Sequence, residues 1–292
     1  KVKKPNVIHC FTIKPIISIL ILNIYFKKKI FLTFTGLGHI FINSSGLIYF
    51  LIKLFLKIFI KKEYIIFFQN IHDLDLFVRN KIVKKEQCKL VPGSGFDKED
   101  IILTNNKVTK KKNFINILMI ARFIKEKGIV EFVEASIKIN KYHKNIQFSL
   151  LTTKDTSNPS SLSDNYKDYI VSNNIEVIED NKNIYQYIEN SDLIIQASYR
   201  EGLSRVILEA ASLKKPVLAS NVPGNTDALE VLKNGKLFEV KNINSLCEGI
   251  QYFLRNRNEF TIFGENGYNN LYYFSKKNVF EVYANEYSKL LK

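Results

Sequence analysis

The feature that most constrains this chain is an alternation of two patterns. Short, almost uninterrupted apolar runs each end in a polar or glycine-bearing turn and are followed by a segment of helical period. In the second half these runs are NFINILMIA (113–121), FSLLTT (148–153), SDLIIQAS (191–198) and PVLAS (216–220). Runs this short and this apolar read as strands buried on both faces, the signature of a parallel sheet flanked by helices. Between the first two lies IVEFVEASIKIN (129–140), which places Ile129, Phe132, Val133, Ser136 and Ile137 on one helical face. Short strands over 175–178 and 236–240, a helix over 184–189 and a helix from Ser204 to Leu213 extend the series.

The first half repeats the theme. Strands are expected at 5–10, 30–35, 64–69 and 89–91, the second running into the turn Gly36-Leu37-Gly38 and the last stopping at Pro92-Gly93. Helices are expected after Pro15, over 47–60 and over 73–80. The stretch from Asp97 to Lys112 is poor in apolar positions after Leu103 and ends in TKKK, which marks a domain boundary. From Ile243 to Lys292 the pattern is helical, with a break expected near Gly264 and Gly267. With 292 residues, 46% hydrophobic and 24% charged, the chain can bury two cores. These observations define an α/β protein of two domains.

Charge is unevenly shared. Through Lys112 the sequence holds 21 Lys and Arg against 7 Asp and Glu; the remainder holds 22 against 21. The excess points to an anionic partner for the first half, whether nucleic acid, an anionic membrane or a phosphorylated acceptor, or else to a compositional bias toward lysine. Nucleic acid fits poorly, because that half has 20 lysines, one arginine and no reader motif. Residues 47–60, LIYFLIKLFLKIFI, carry Lys53 and Lys57 one helical turn apart and read as an amphipathic helix with a basic stripe. Neither this segment nor residues 7–26 offers the uncharged run of about 18 residues that spanning a bilayer requires. Cys10, Cys88 and Cys247 are far apart, and His9, His39, His72 and His143 lack zinc-ligand spacing, so free thiols and no metal site are expected.

Candidate chemistry sits at the carboxyl ends of the second-half strands, where open α/β sheets bind ligands. Arg122 follows the first strand and Lys127 precedes Gly128; two cations there could neutralise a diphosphate. Either could equally belong to an ordinary solvated loop. Glu201 and Gly202 follow SDLIIQAS, Ser204 is placed to cap the next helix, and Glu209 lies within it among apolar neighbours. A helix opening there offers free N–H groups to phosphate, and a partly buried carboxylate needs a partner or a ligand hydroxyl.

The run EGLSRVILEAASLKKPVLASNVPGNTDAL (201–229), with NILMIARFIKEKGIVEFVEAS (116–136) upstream, resembles the donor-binding core of family 4 glycosyltransferases. VIHCFTIKP, TFTGLGHIF, IIFFQNIHDLDLF and LVPGSGFD resemble, in order, segments of a bacterial branch that builds capsule and exopolysaccharide. The resemblance implies a GT-B-like fold, two Rossmann-like α/β domains facing across a cleft. It implies domains of 1–108 (acceptor side) and 109–264 (nucleotide-sugar side), with helices over 265–292 crossing back to the first. The family's first strand and glycine-rich loop have no counterpart, so the chain reads as a fragment whose first domain is incomplete.

Carried over by position, the resemblance implies that Arg122 and Lys127 hold the donor pyrophosphate and stabilise the leaving group. Glu209 binds the ribose hydroxyls, Glu201 faces the transferred sugar, and the Gly202-Leu203-Ser204 backbone lies near sugar and phosphate. Gly36, Gly38 and His39 fall on the acceptor side, and His9, near the same cleft by topology, is a candidate catalytic residue; either histidine could equally be structural. The implied activity is retaining transfer of a hexosyl or N-acetylhexosaminyl group from a nucleotide-sugar, a UDP-sugar, to a lipid-linked or polysaccharide acceptor. No metal or other cofactor is implied. The expected setting is the cytoplasmic face of the cell membrane, held peripherally by its anionic surface. The competing reading is a truncated nucleotide-sugar-binding protein without turnover.

Overall fold

The computed structural model describes residues 5–37, 46–102, 113–156, 158–179 and 184–289. Gly38 and His39, and the boundary expected over 103–112, lie outside them. The chain divides into two compact units, residues 1–95, 201–203 and 274–292 in one and 96–200 and 204–273 in the other.

In the first unit β1 (Val7–Phe11), β2 (Lys29–Phe34), β3 (Ile65–Phe68) and β4 (Cys88–Leu90) form a parallel sheet in that order. Helices α1 (Ile13–Phe26), α2 (Leu47–Phe59) and α3 (Ile71–Arg79) make the crossovers. Because successive side chains alternate across a strand, Ile30, Leu32 and Phe34 meet Ile16 and Leu20 of α1, Leu56 of α2 and Phe77 of α3. Phe31 and Phe67 face the other way and pack with Val279. That residue belongs to α11 (Lys276–Ser288), the last helix of the chain. Pro15 occupies the first turn of α1, where its missing N–H costs nothing.

The second unit holds a six-stranded parallel sheet: β5 (Ile115–Arg122), β6 (Ile146–Thr153), β7 (Glu176–Ile178), β8 (Leu193–Gln196), β9 (Val217–Ser220) and β10 (Gly235–Phe238). Its spatial order is β7-β6-β5-β8-β9-β10. The chain winds outward from β5 in one direction, then returns to β5's other side and winds the opposite way, a doubly wound topology. The helices are α4 (Ile129–Asn140), α5 (Asp164–Ser172), α6 (Ile184–Asn190), α7 (Arg205–Ser212), α8 (Asn225–Leu232), α9 (Ile243–Arg255) and α10 (Arg257–Asn270). On α4, Ile129, Phe132, Val133 and Ser136 are buried as the periodicity implies, and Ile137 is half-buried.

Two expectations change. Helix α10 runs unbroken through Gly264 and Gly267; the interruptions fall at Asn256 and at a short 3-10 turn over Leu271–Phe274. Glycine serves packing here, since a Cβ at Gly264 would lie 2.1 Å from the Lys214 carbonyl oxygen. Ser204 stands at the N-cap of α7, yet its hydroxyl makes no capping bond. Instead it accepts from Gln196 Nε2 at 2.6 Å. Among the described residues no helix is long and apolar enough to cross a membrane.

Candidate donor site at the switch point of the second sheet

Where the winding of a parallel sheet reverses, the two adjacent connections leave in opposite directions and open a crevice at the strands' carboxyl ends. In the second unit that point lies between β5 and β8. The connections leaving these strands carry Arg122, Lys127 and Gly128 on one side and residues 197–204 on the other.

The β5 connection is tightly determined. Arg122 closes the strand, in register with Thr153, and its Nη1 lies 2.8 Å from Asp155 Oδ2. Half of its side chain stays exposed, so the guanidinium can serve a ligand as well. A 3-10 turn, Lys125–Lys127, then leads to Gly128 at φ 76°. A Cβ at Gly128 would sit 2.1 Å from the Ala197 carbonyl oxygen, so only glycine lets this turn back onto the end of β8. The Tyr199 N–H donates to the Glu126 carbonyl at 2.9 Å, and the Tyr199 hydroxyl donates to Glu131 Oε1 at 2.7 Å. The two connections are therefore stitched together. Thr152 is buried and donates its hydroxyl to the Ala121 carbonyl at 2.7 Å.

On the β8 side, α7 begins at Arg205 and carries no acid in its first turn. Glu209 is 8% exposed. Burial pushes its carboxyl pKa up, and the neighbouring Arg205 guanidinium pulls against that shift. Arg205 Nε donates to Glu209 Oε1 at 2.9 Å. Arg205 was not singled out by its sequence pattern, although its i,i+4 spacing to Glu209 was the available signal.

Arg122, Lys127, Ser204 and Glu209 thus share the second unit, whereas Glu201, Gly202 and Leu203 cluster with the first. Gly202 explains the exchange: a Cβ there would lie 1.9 Å from the Thr35 carbonyl oxygen, beside Gly36. Asn70, the N-cap of α3, donates to the Gly202 carbonyl at 2.9 Å and to Asp73 Oδ2 at 3.0 Å. This anchoring asparagine also escaped the sequence reading, because its partner lies 132 residues away.

His9 lies in the first unit, inside an aromatic cluster of Phe11, Phe31, Phe67, Tyr283 and Tyr287. Its Nε2 meets Thr33 Oγ1 at 2.7 Å, and its Nδ1 meets the Tyr287 hydroxyl. Desolvation lowers its pKa to about 4, so the ring is neutral at neutral pH. Among the described residues no group of three or more His, Cys, Asp or Glu could hold a metal ion.

A doubly wound α/β unit binds ligands at its switch point, and here that point carries cations and a buried carboxylate. Residues 100–270 match the glycosyl transferases group 1 family, and the chain belongs to it. It is 25% identical over 234 residues to the N,N'-diacetylbacillosaminyl-diphospho-undecaprenol alpha-1,3-N-acetylgalactosaminyltransferase of Campylobacter jejuni, covering 75% of this chain and 59% of that protein. It is also 25% identical over 206 residues to the capsular polysaccharide biosynthesis glycosyltransferase CapM of Staphylococcus aureus, covering 68% and 54%. The chain therefore spans less than two thirds of either relative. Among solved structures, sucrose-phosphate synthase from Thermosynechococcus elongatus superimposes with a TM-score of 0.82 at 18% identity, over 98% of this chain and 74% of that one. Anabaena HepE in complex with UDP gives 0.80 at 16% identity, over 97% and 79%. These likenesses establish the GT-B type of fold, two Rossmann-like α/β units.

Proposed function

We propose that this chain carries the donor-binding machinery of a retaining glycosyltransferase that takes a hexosyl or N-acetylhexosaminyl group from a UDP-sugar. The observation that carries this reading is the placement of Arg122, Lys127 and the buried Glu209 on the connections flanking the β5/β8 switch point. In this reading Arg122 and Lys127 neutralise the diphosphate as it departs. That is where charge develops when the glycosidic bond breaks through an oxocarbenium-like state. Glu209 accepts the ribose hydroxyls. Glu201 and the Gly202-Leu203-Ser204 backbone contact the sugar, and the acceptor attacks from the face that the leaving group vacates. Glu201 and Glu209 are given no double-displacement role of the kind retaining hydrolases assign to a close carboxylate pair. Gly36 belongs to the acceptor side, and His9 is a candidate catalytic residue present as a neutral ring.

The acceptor in this proposal is a lipid-linked or polysaccharide chain, as the names of the Campylobacter and Staphylococcus relatives suggest for those proteins. A cytoplasmic, peripheral position at an anionic membrane accords with the charge excess of the first half and with α2, whose Leu47, Phe50, Leu54 and Ile58 are all exposed.

Calorimetry with UDP tests the donor site. Arg122→Ala or Lys127→Ala should each weaken UDP binding by about 1.5–3 kcal/mol, the usual worth of a hydrogen bond to a charged group. Circular dichroism should be unchanged. Equal UDP affinity in both variants and the parent would end this reading.

A further inference from the structure

Helix α7 begins with a residue that helix physics alone would not choose. Arg205 is its first residue, at the end where the macrodipole is positive and an acid would be favoured. Its pairing with Glu209 runs in the weaker of the two i,i+4 orders, cation before anion. A local rule broken without benefit to the helix points to a role for the side chain.

The guanidinium is held from several sides. Its Nε donates to Glu209 Oε1 at 2.9 Å, Tyr185 on α6 lies close by, and its Cζ lies 5.8 Å from the centre of the Phe96 ring. Two-thirds of the Arg205 side chain is exposed, whereas Glu209 is almost wholly covered. The arginine thus reaches in from the surface to a carboxylate that cannot reach out.

We propose that Arg205 is a positioning residue for nucleotide recognition: by engaging Oε1 it fixes the Glu209 carboxylate so that it can accept the ribose hydroxyls of the donor. The inference rests on the donor-site reading above and adds a residue to it. Burial disfavours the charged form of a carboxylate, and a cation bonded to it opposes that while holding its oxygens in one orientation. Burial acts on Glu209 in that direction and Arg205 opposes it. The Ser204 hydroxyl, committed to Gln196, does not compete for the opening of α7.

The test is a ligand-and-variant cycle with UDP and 2'-deoxy-UDP on the 292-residue chain. The parent should bind UDP about tenfold or more tightly than the deoxy analogue, as expected when a hydroxyl bonded to a charged group is removed. Arg205→Met should shrink that ratio to within about twofold of one, mainly by weakening UDP, while 2'-deoxy-UDP affinity stays within about threefold. Arg205→Lys should recover much of the ratio, because it restores the cation though not the fixed fork. Glu209→Gln should abolish the ratio on its own, and adding Arg205→Met to it should change nothing further.

If Arg205→Met weakens both nucleotides alike, the guanidinium serves the phosphates and the proposal is overturned. An unchanged ratio in Arg205→Met overturns it as well. If the parent binds UDP but does not distinguish it from the deoxy analogue, Glu209 does not read the ribose, and this inference falls while the phosphate part of the donor site stands. No binding of UDP by the folded parent overturns both.

Discussion

At the scale of single residues, His9 illustrates how packing alone retunes a side chain. Its ring is stacked on Phe11 at 4.2 Å and ringed by Phe31, Phe67, Tyr283 and Tyr287. Placing a cation there is costly, so desolvation lowers its pKa from 6.5 to about 4. The unfolded chain then binds a proton in the window between these values while the folded chain does not. Stability contributed by the neutral ring is therefore complete above pH 6.5, falls as pH drops from 6.5 to 4, and levels below. The ring retains some solvent contact, and screening reduces the effect to on the order of 1–2 kcal/mol. Urea unfolding at pH 7.5 and pH 4.5 should show the parent losing more stability than His9→Gln by about that amount. A gap between the two proteins that does not change with pH would refute the assignment.

At the scale of elements, the helices divide according to how much of their apolar surface finds a partner. Helix α10 lies so close to α7 and its following turn that glycine is needed at two positions. Gly264→Ala ought to gain about 1 kcal/mol in helix propensity but must displace the Lys214 carbonyl. The clash should dominate, with a net loss of about 1–3 kcal/mol in unfolding free energy measured by denaturant titration. A variant more stable than the parent would show that the helix shifts freely. Helix α2 is the opposite case. Only Leu56 of its residues is buried, while Leu47, Ile48, Phe50, Leu51, Leu54 and Ile58 lie open alongside Lys53 and Lys57. On α1 the end of the helix, Ile24, Tyr25 and Phe26, is likewise exposed and runs into Lys27, Lys28 and Lys29.

At the scale of the whole molecule, the positive excess through Lys112 lies on the same stretch of chain as these open apolar helix faces. Apolar side chains bordered by lysines suit an anionic lipid surface, where each lysine contributes on the order of 1 kcal/mol within a Debye length. Co-sedimentation with vesicles containing phosphatidylglycerol should be strong at low salt, weaker at 0.5 M salt and weak with pure phosphatidylcholine. Lys53→Glu, Lys57→Glu should reduce it further. Binding indifferent to lipid charge and to this double substitution would rule out the electrostatic part of the membrane proposal.

The sequence by itself determined the local elements. Runs such as NILMIA and LIIQAS, short and bounded by polar turns, read as buried strands of a parallel sheet, and the spacing of Ile129, Phe132 and Val133 specifies the inner face of α4. It also set Arg122 and Lys127 just beyond a strand end, and Arg205 one turn before Glu209, because each of those relations spans a few residues. Tertiary structure alone decided which strands adjoin, and hence that the switch point falls between β5 and β8. It decided that Gly202 backs onto Thr35, that Glu209 is covered, and that α10 continues through Gly264. It also brought His9 to Tyr287, 278 residues away. Periodicity records which face of an element is apolar, but it carries no record of what that face meets. Burial, desolvation and close backbone approach arise from such distant meetings, so the chemistry they tune is written only in the folded chain.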